Sequence, residues 1–424
     1  MTTNDWKVVR IKDIGKVITG RTPPTAVTSY FGDEYPFITP SDMIGDKYIS
    51  NPERGLSSKG ATLLKNNCLS PKSIAVSCIG WQMGKVVMIS STSFTNQQIN
   101  TIIPADQVVP DFIYYNLCTR REELKTLGSV GTRTPILIKS SFENFQILLP
   151  PLPTQHKIAS ILSAYDDLIE NNTRRIAILE KMAQSLYREW FVHFRFPGHE
   201  KKRLVESELG LVPEGWEVKA FSEIVQIQRK GIDPSKFEQD TFEHYSIPAF
   251  DEGCMPTMDS GREIRSNKFL VPDGAILLSK INPRIPRVWL PMFTSSRPAV
   301  ASTEFLVLVP RSSSTREFLF SCCQSPEFID KFTSRAGGTS TSHQRVKPED
   351  LMSLLIVRPE RGLLNTFTEI IAPMYHSMHN LRLRKANLRQ TRDLLLSKLI
   401  SGEVDVEGLG IVTDERERET IAYT

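Results

Sequence analysis

Two Gly-rich loops, GSVGTRTP at 128–135 and AGGTSTSHQRV at 336–346, carry runs of hydrogen-bond donors. Their residue types suit recognition; bond-making chemistry finds no support elsewhere in the chain. There is no Walker-type Gly-rich loop, no HExxH, no GxSxG, and no Gly-rich dinucleotide or methyl-donor loop after a strand. The Asn/Asp-Pro-Pro-Tyr motif of amino-methyltransferases is also missing; Asn282-Pro283-Arg284 does not match it. His376 and His379 stand three apart on a helical stretch. No Cys or acidic third ligand accompanies them, so a surface or helix-flank role is expected over a metal site. No catalytic residue and no metal ligand is expected.

The elements that position those loops follow from residues 150–195. A Pro-rich start leads into one long amphipathic pattern. Ile158, Leu162, Tyr165, Ile169, Asn172, Ile176, Leu179, Ala183, Leu186 and Trp190 alternate at spacings of four and three, and nine of the ten are apolar. Such a seam needs a second helix to bury it. Adding 209 to each position gives Phe367, Ile371, Met374, Met378, Leu381, Lys385, Leu388, Arg392, Leu395 and Leu399, eight of them apolar. The modules before the two helices repeat as well. WKVVRIKDIGKVI at 6–18 matches WEVKAFSEIVQI at 216–227, and YPFITP at 35–40 matches YSIPAF at 245–250. SIAVS precedes one candidate helix and AILLS another, at 110–127 and TREFLFSCCQSPEFIDKFTS respectively.

The chain is therefore expected to be a tandem duplication of an α/β (α+β) globular domain followed by a long helix. Two like units related by an approximate two-fold axis would pair the helices as an antiparallel coiled coil; a parallel pair is the alternative. The expected segments are a first module at 1–150, a long helix at 151–196 and a polar linker at 197–215. A second module at 216–358, a second long helix at 359–402 and a polar, loose tail at 403–424 follow. Asn172, Lys385 and Arg392 are expected at the edge of the seam with their polar heads in water; fixing register or contacting a third chain is the alternative. Tyr187, Trp190, Phe191 and Phe194 form an aromatic patch, expected to pack on the next module unless it anchors a partner.

With 424 residues, 40% hydrophobic and 24% charged, two or three well-cored domains are expected. A net charge of +4 excludes a polycation, so any nucleic-acid contact must come from local patches. The helices supply some, with Arg382, Arg384, Lys385, Arg389, Arg392 and Lys398 against Asp393 alone in 381–398. The six cysteines show no CxxC or Cys/His metal spacing, which points to a reduced, cytoplasmic location. No apolar run approaches the roughly 20 residues that span a bilayer.

The ordered motifs GRTP (20–23), YPFITPSDM (35–43), TNQQI (95–99), PPLPTQHKIASIL (150–162) and the terminal LLLSKLISGEVDV resemble the specificity subunit of type I restriction–modification systems. The resemblance covers nearly the whole chain. The second half departs from it, with VRPERGLLN in place of the Pro-Pro-Leu-Pro run and no TNQ. The resemblance implies two target recognition domains, each reading one half of a split site in double-stranded DNA. The helices would set the spacer and dock two modification (methyltransferase) subunits, which restriction (endonuclease/translocase) subunits join. The chain itself would be no enzyme and would bind no cofactor; S-adenosylmethionine, Mg and ATP would belong to its partners. A coiled-coil scaffold binding proteins without DNA is the alternative.

On that reading, loop Arg side chains suit guanine and Asn or Gln suits adenine. The candidates are Arg21, Lys59, Gln97 and Arg133 in the first module. In the second they are Arg229, Lys230, Lys280, Arg284, Arg335, Gln344 and Arg345. Each could instead brace its loop or simply lie on the surface. Gly131 and Gly337 or Gly338 are read as permitting tight loops.

Overall fold

The computed structural model describes residues 5–49, 51–129, 135–293, 296–312, 316–337 and 344–411. It divides into two compact units. One is Met1–Ile169 with Asn387–Thr424; the other is Glu170–Ala386.

In the first unit, strand Lys7–Arg10 pairs antiparallel with Gln146–Leu149, so the module's two ends meet just before the long helix. Strands Gly15–Thr19, Ile99–Pro104, Ile74–Ser77 and Val86–Met88 form an antiparallel sheet in that spatial order. Ile74–Ser77 is buried along its whole length. It therefore reads as a continuous β-branched and small apolar run rather than an alternating one. Helix Pro110–Cys118 packs on this sheet through Phe112, Ile113 and Leu117. A second sheet joins Arg54–Leu56, Phe31–Ile38 and Phe94–Thr95, the last pair parallel.

The second unit repeats the plan. Glu217–Ala220 pairs with Leu355–Arg358. Val225–Gln228, Phe305–Pro310, Ile276–Ser279 and Val288–Trp289 form the matching four-stranded sheet. Thr241–Tyr245 and Ala299–Ser302 pair parallel, as Phe31–Ile38 and Phe94–Thr95 do, inside a five-stranded second sheet. The duplication thus extends to strand order and direction.

The long helices are Leu152–Tyr187 and Arg361–Ile400. A π-helical turn, Arg188–Val192, continues the first, and Phe194 then leaves it in a left-handed conformation. The second passes through Pro373, which lies on its exposed side, where water can take the carbonyl that proline leaves unbonded. Both units show the helices antiparallel. In the first, Lys157 Nζ donates to the Glu407 carbonyl (2.6 Å) and Arg392 bonds Asp166 (2.6 Å). In the second, Arg382 bonds Glu180 (2.6 Å), and the Trp190 ring lies 5.8 Å from that of Phe367.

The seam is well marked. Ile158, Leu162, Ile169, Ile176, Ala183, Trp190, Phe367, Ile371, Met378, Leu381 and Leu399 are buried. Tyr165, Leu179, Leu186, Met374, Leu388 and Leu395 are half-buried. Burying an Ile or Leu side chain contributes about 2 kcal/mol, so the seam is a principal source of helix stability.

Several local expectations are corrected. Arg392 does not hold its head in water: it bonds Asp166 between the helices and Asp393 on its own helix (2.8 Å). Asn172 is buried rather than peripheral. The stretch 110–127 is two helices, Pro110–Cys118 and Arg121–Ser129, parted where Thr119 Oγ1 and the Arg120 amide turn back on Asn116 and Leu117. Its counterpart breaks at Ser325, which caps Pro326–Thr333 by accepting from the Phe328 amide. Residues 204–213 form a hairpin, Leu204–Ser207 with Gly210–Pro213. Beyond the second helix, Val406 is 1% exposed and joins, with the half-buried Val404, the core that holds Ile158 and Leu162, so the tail is anchored at its start. The aromatic patch packs on the following module, with Phe191 5.0 Å from Phe318 and Phe194 5.5 Å from Trp216.

Candidate nucleic-acid interface

Each four-stranded sheet ends its buried strand in a seven-residue hairpin loop, here called the finger: 78–84 in the first module and 280–286 in the second. The closing bonds are the same. The Ser77 amide donates to the Lys85 carbonyl (2.9 Å), and the Ser279 amide to that of Arg287 (2.9 Å). Both turns place a residue in the left-handed region, Gly80 (φ 62°) and Asn282 (φ 48°). Gly and Asn are the residue types that tolerate it.

Two polar segments flank each finger. In the first module the Cys78 amide bonds the Gln98 carbonyl (2.8 Å) and the Leu137 amide bonds that of Cys78 (2.9 Å). In the second the Lys280 amide bonds Glu304 (2.9 Å), the Val346 amide bonds Lys280 (3.0 Å) and the Asn282 amide bonds Gln344 (2.9 Å). The finger therefore places polar loops side by side although they are far apart in sequence.

GRTP and TNQQI meet in this cluster. The Arg21 amide donates to the Thr95 carbonyl (2.9 Å), and Thr22 Oγ1 donates to Gln97 Oε1 (2.7 Å). Asn67 and Asn100 hold the strand end, through the Thr19 carbonyl and hydroxyl respectively. Gly20 is required by close approach: a Cβ there would sit 2.1 Å from the Asn96 carbonyl oxygen. Arg21 and Gln97 are both exposed. Lys59 is exposed on a separate helix, Ser58–Leu63, which packs by the turn at Tyr30 and shares no bond with this cluster. Arg133 and Gly131 lie outside the described residues.

In the second module Lys280, Arg284, Gln344 and Arg345 gather around the finger. Arg284 is exposed, while Lys280 and Gln344 are half-buried. Arg345 is committed locally. Its Nε and Nη2 bond both oxygens of Glu304 (3.1 and 3.0 Å), which raises its pKa. It braces the loop, the role its sequence context left open. Arg335 is exposed two residues before Gly337, whose amide bonds the Arg345 carbonyl (3.0 Å). Gly337 has open space around it, and Gly338 lies outside the described residues. Arg229 reaches Glu349 (3.4 Å), and the Lys230 carbonyl accepts from the Leu270 amide (2.9 Å), so both sit at the sheet edge and not on the finger.

The sequence reading passed over two features. Trp81, on the first finger, is 77% exposed. A polar network joins Lys47, Asp111, Tyr115, Ser163 and Asp166 to Arg392. Its members are 3 to 345 residues apart in sequence, so no local pattern signals it.

Among the described residues no cluster could hold a metal ion. His376 Nδ1 contacts the carbonyl of Ala372 one turn earlier (2.8 Å). The His379 pKa is lowered by burial, then by the charges of Arg382 and His376. Most of the basic run at 381–398 is neutralised within the chain, Arg382 by Glu180, Arg389 by Asp46, Arg392 by Asp166 and Lys398 by Glu403.

Residues 3–181 match the family model described as the type I restriction modification DNA specificity domain. The MjaIX specificity subunit of Methanocaldococcus jannaschii is 29% identical over 417 residues, which is 96% of this chain and 95% of that one. The HindI specificity subunit of Haemophilus influenzae is 36% identical over 173 residues, 39% of this chain and 38% of that one. The crystal structure of a type I restriction-modification S subunit from M. genitalium superposes with a TM-score of 0.58 at 14% identity. It covers 93% of this chain and 96% of that chain, and it shares the fold. With both modules, both helices and the matched motifs accounted for, this chain carries a type I restriction–modification specificity domain at residues 3–181 and is similar over nearly its whole length to a type I specificity subunit.

Proposed function

We propose that the chain is the DNA sequence-recognition subunit of a type I restriction–modification complex and carries no catalysis of its own. Each module reads one half of a two-part site, and the paired helices set the unread spacer. The observation that carries this reading is the duplicated finger with polar loops bonded to both its sides. Arg21 and Gln97 in the first module, and Lys280, Arg284 and Gln344 in the second, are the side chains assigned to base edges. Arg and Gln match guanine and adenine in the major groove. Lys59, Arg229, Lys230 and Arg335 are assigned to phosphates around them, and Arg345 to holding its loop.

The partners are two methyltransferase subunits, with restriction subunits added to that assembly in the cytoplasm. S-adenosylmethionine, Mg and ATP would be held by those partners. No described helix is long and apolar enough to cross a membrane.

The spacer role is tested by removing one matching heptad from each long helix. Seven residues are about 10 Å of helix, so the spacer is expected to shorten by about three base pairs while both half-sites persist. Single-molecule mapping of methylated bases in cells with and without each variant reads the result. Altered half-sites over an unchanged spacer would refute the ruler.

Docking has its own surface. Ile178 and Met182 lie one turn apart on the first helix and are 58% and 49% exposed. Replacing both with Asp is expected to abolish co-purification of the methyltransferase subunit. Thermal stability should stay nearly unchanged, because exposed substitutions usually cost little. Intact co-purification would move the docking surface elsewhere.

A further inference from the structure

The two fingers share their length and closing bond but turn different residues outward. Met83 is 1% exposed and Trp81 77% in the first; in the second, Pro283 is buried and Ile285 is 53% exposed. The turns do not need these outward side chains. Backbone bonds close them, from the Met83 amide to Gly80 (3.1 Å) and from the Ile285 amide to Asn282 (2.9 Å). In each module a large apolar group thus stands in solvent among polar donors.

The Trp81 ring is constrained further. The Lys85 ammonium lies 5.0 Å from its centroid. With a cation over one face, the ring cannot slide between base pairs, which would use both faces. One face stays open to an apolar neighbour. Ile285 has no ring to stack. Both residues can make van der Waals contact with a methyl group, and the thymine C5-methyl is the apolar mark of the major groove.

Resting on the reading that the modules recognise duplex DNA, we propose that Trp81 and Ile285 are specificity-determining residues, each contacting the C5-methyl of a thymine in its own half-site. The different outward residues then help the two modules prefer different sequences on one scaffold.

The test uses the chain assembled with its methyltransferase subunits and a duplex carrying the mapped site. Each thymine is replaced in turn by deoxyuridine, which removes only the C5-methyl. For the wild type, one substitution per half-site is expected to weaken binding about fourfold, the worth of roughly one buried methyl group. Trp81→Ala is expected to bind about tenfold more weakly. It should lose sensitivity to deoxyuridine in the first half-site and keep it in the second, which also reports that the protein is folded. Ile285→Ala should show the converse. The proposal is overturned if Trp81→Ala keeps wild-type affinity and the full deoxyuridine pattern, if no substitution affects the wild type, or if the first half-site contains no thymine. A wild-type complex that fails to prefer the mapped duplex over a scrambled one overturns the recognition reading itself. Preference retained with Trp81→Ala unchanged overturns this inference alone.

Discussion

Replacing Asp166 with alanine is expected to destabilise the first unit by about 3 kcal/mol, the low end of the range for breaking a buried ion pair. Asp166 is 8% exposed and serves three elements at once. One carboxylate oxygen accepts from Arg392 Nη1 of the second long helix (2.6 Å), the other from the Tyr115 hydroxyl of the first module (2.5 Å). Tyr115 and Ser163 continue to Lys47, which also bonds Asp111 (2.6 Å). Burial first, then the Asp166 charge, pushes the Tyr115 pKa far up, so its phenol stays a donor and needs an acceptor. Burial alone would lower the Arg392 pKa, but the bonds and charges of Asp166 and Asp393 outweigh it, and the net shift is upward. Alanine removes the acceptor of Arg392 Nη1 and leaves the Tyr115 hydroxyl only the longer contact to Ser163 (3.4 Å). The estimate takes the low end because Arg392 keeps Asp393 (2.8 Å) and its side chain is 23% exposed. Asp166→Asn keeps an acceptor and should cost less than half as much. Denaturation of the full chain checks this, with hydrogen exchange of 110–118 and 387–400 locating the loss. An unchanged midpoint with unchanged exchange would remove the network from the forces that hold the unit together.

The second large effect is expected from Gly20→Ala. The added methyl carbon would lie 2.1 Å from the Asn96 carbonyl oxygen, 2.3 Å from Thr95 Oγ1 and 2.4 Å from the Thr95 carbonyl oxygen. Two of these atoms are backbone, so no side-chain rotation relieves the clash. The GRTP loop must separate from the TNQQ turn, displacing Arg21 and Gln97 together. A good bidentate base contact gives about 1–3 kcal/mol of discrimination, so losing two should reduce preference for the first half-site at least about thirtyfold. Discrimination in the second half-site should persist. Competition binding with duplexes altered in one half-site at a time measures both. Equal loss in both halves would point to global unfolding, and no loss would remove this loop from recognition.

Much of the architecture is legible in the sequence because the seam is a local pattern written twice. Ile158 to Trp190 repeats at one fixed offset as Phe367 to Leu399. An interhelical period survives sequence drift because each position needs only an apolar residue of suitable size. Motifs such as GRTP and TNQQI were visible separately, but their bonding across 75 residues was not. Arg392 shows the limit of pattern reading. A long basic side chain at a seam position is usually solvated, and only the carboxylate 226 residues away reverses that reading. Arg345 shows a related limit: a loop arginine looks the same in sequence whether its fork is open or held by Glu304. Trp81 was illegible because a tryptophan between Gly80 and Gln82 gives no hint of its direction; the turn that buries Met83 decides it.

The first unit is discontinuous in the chain, which gives its assembly a schedule. Leu399, Ile400 and Val406 complete the core that contains Ile158 and Leu162, yet more than 200 residues of the other unit are made between them. At ribosomal speeds of about 5–20 residues per second, the first module waits roughly 10–40 s with that face uncovered, while Glu170–Ala386 is already complete. The unit begun first of the two is thus sealed second. A frameshift in the codons for 387–400 would harm a module encoded more than 200 residues upstream.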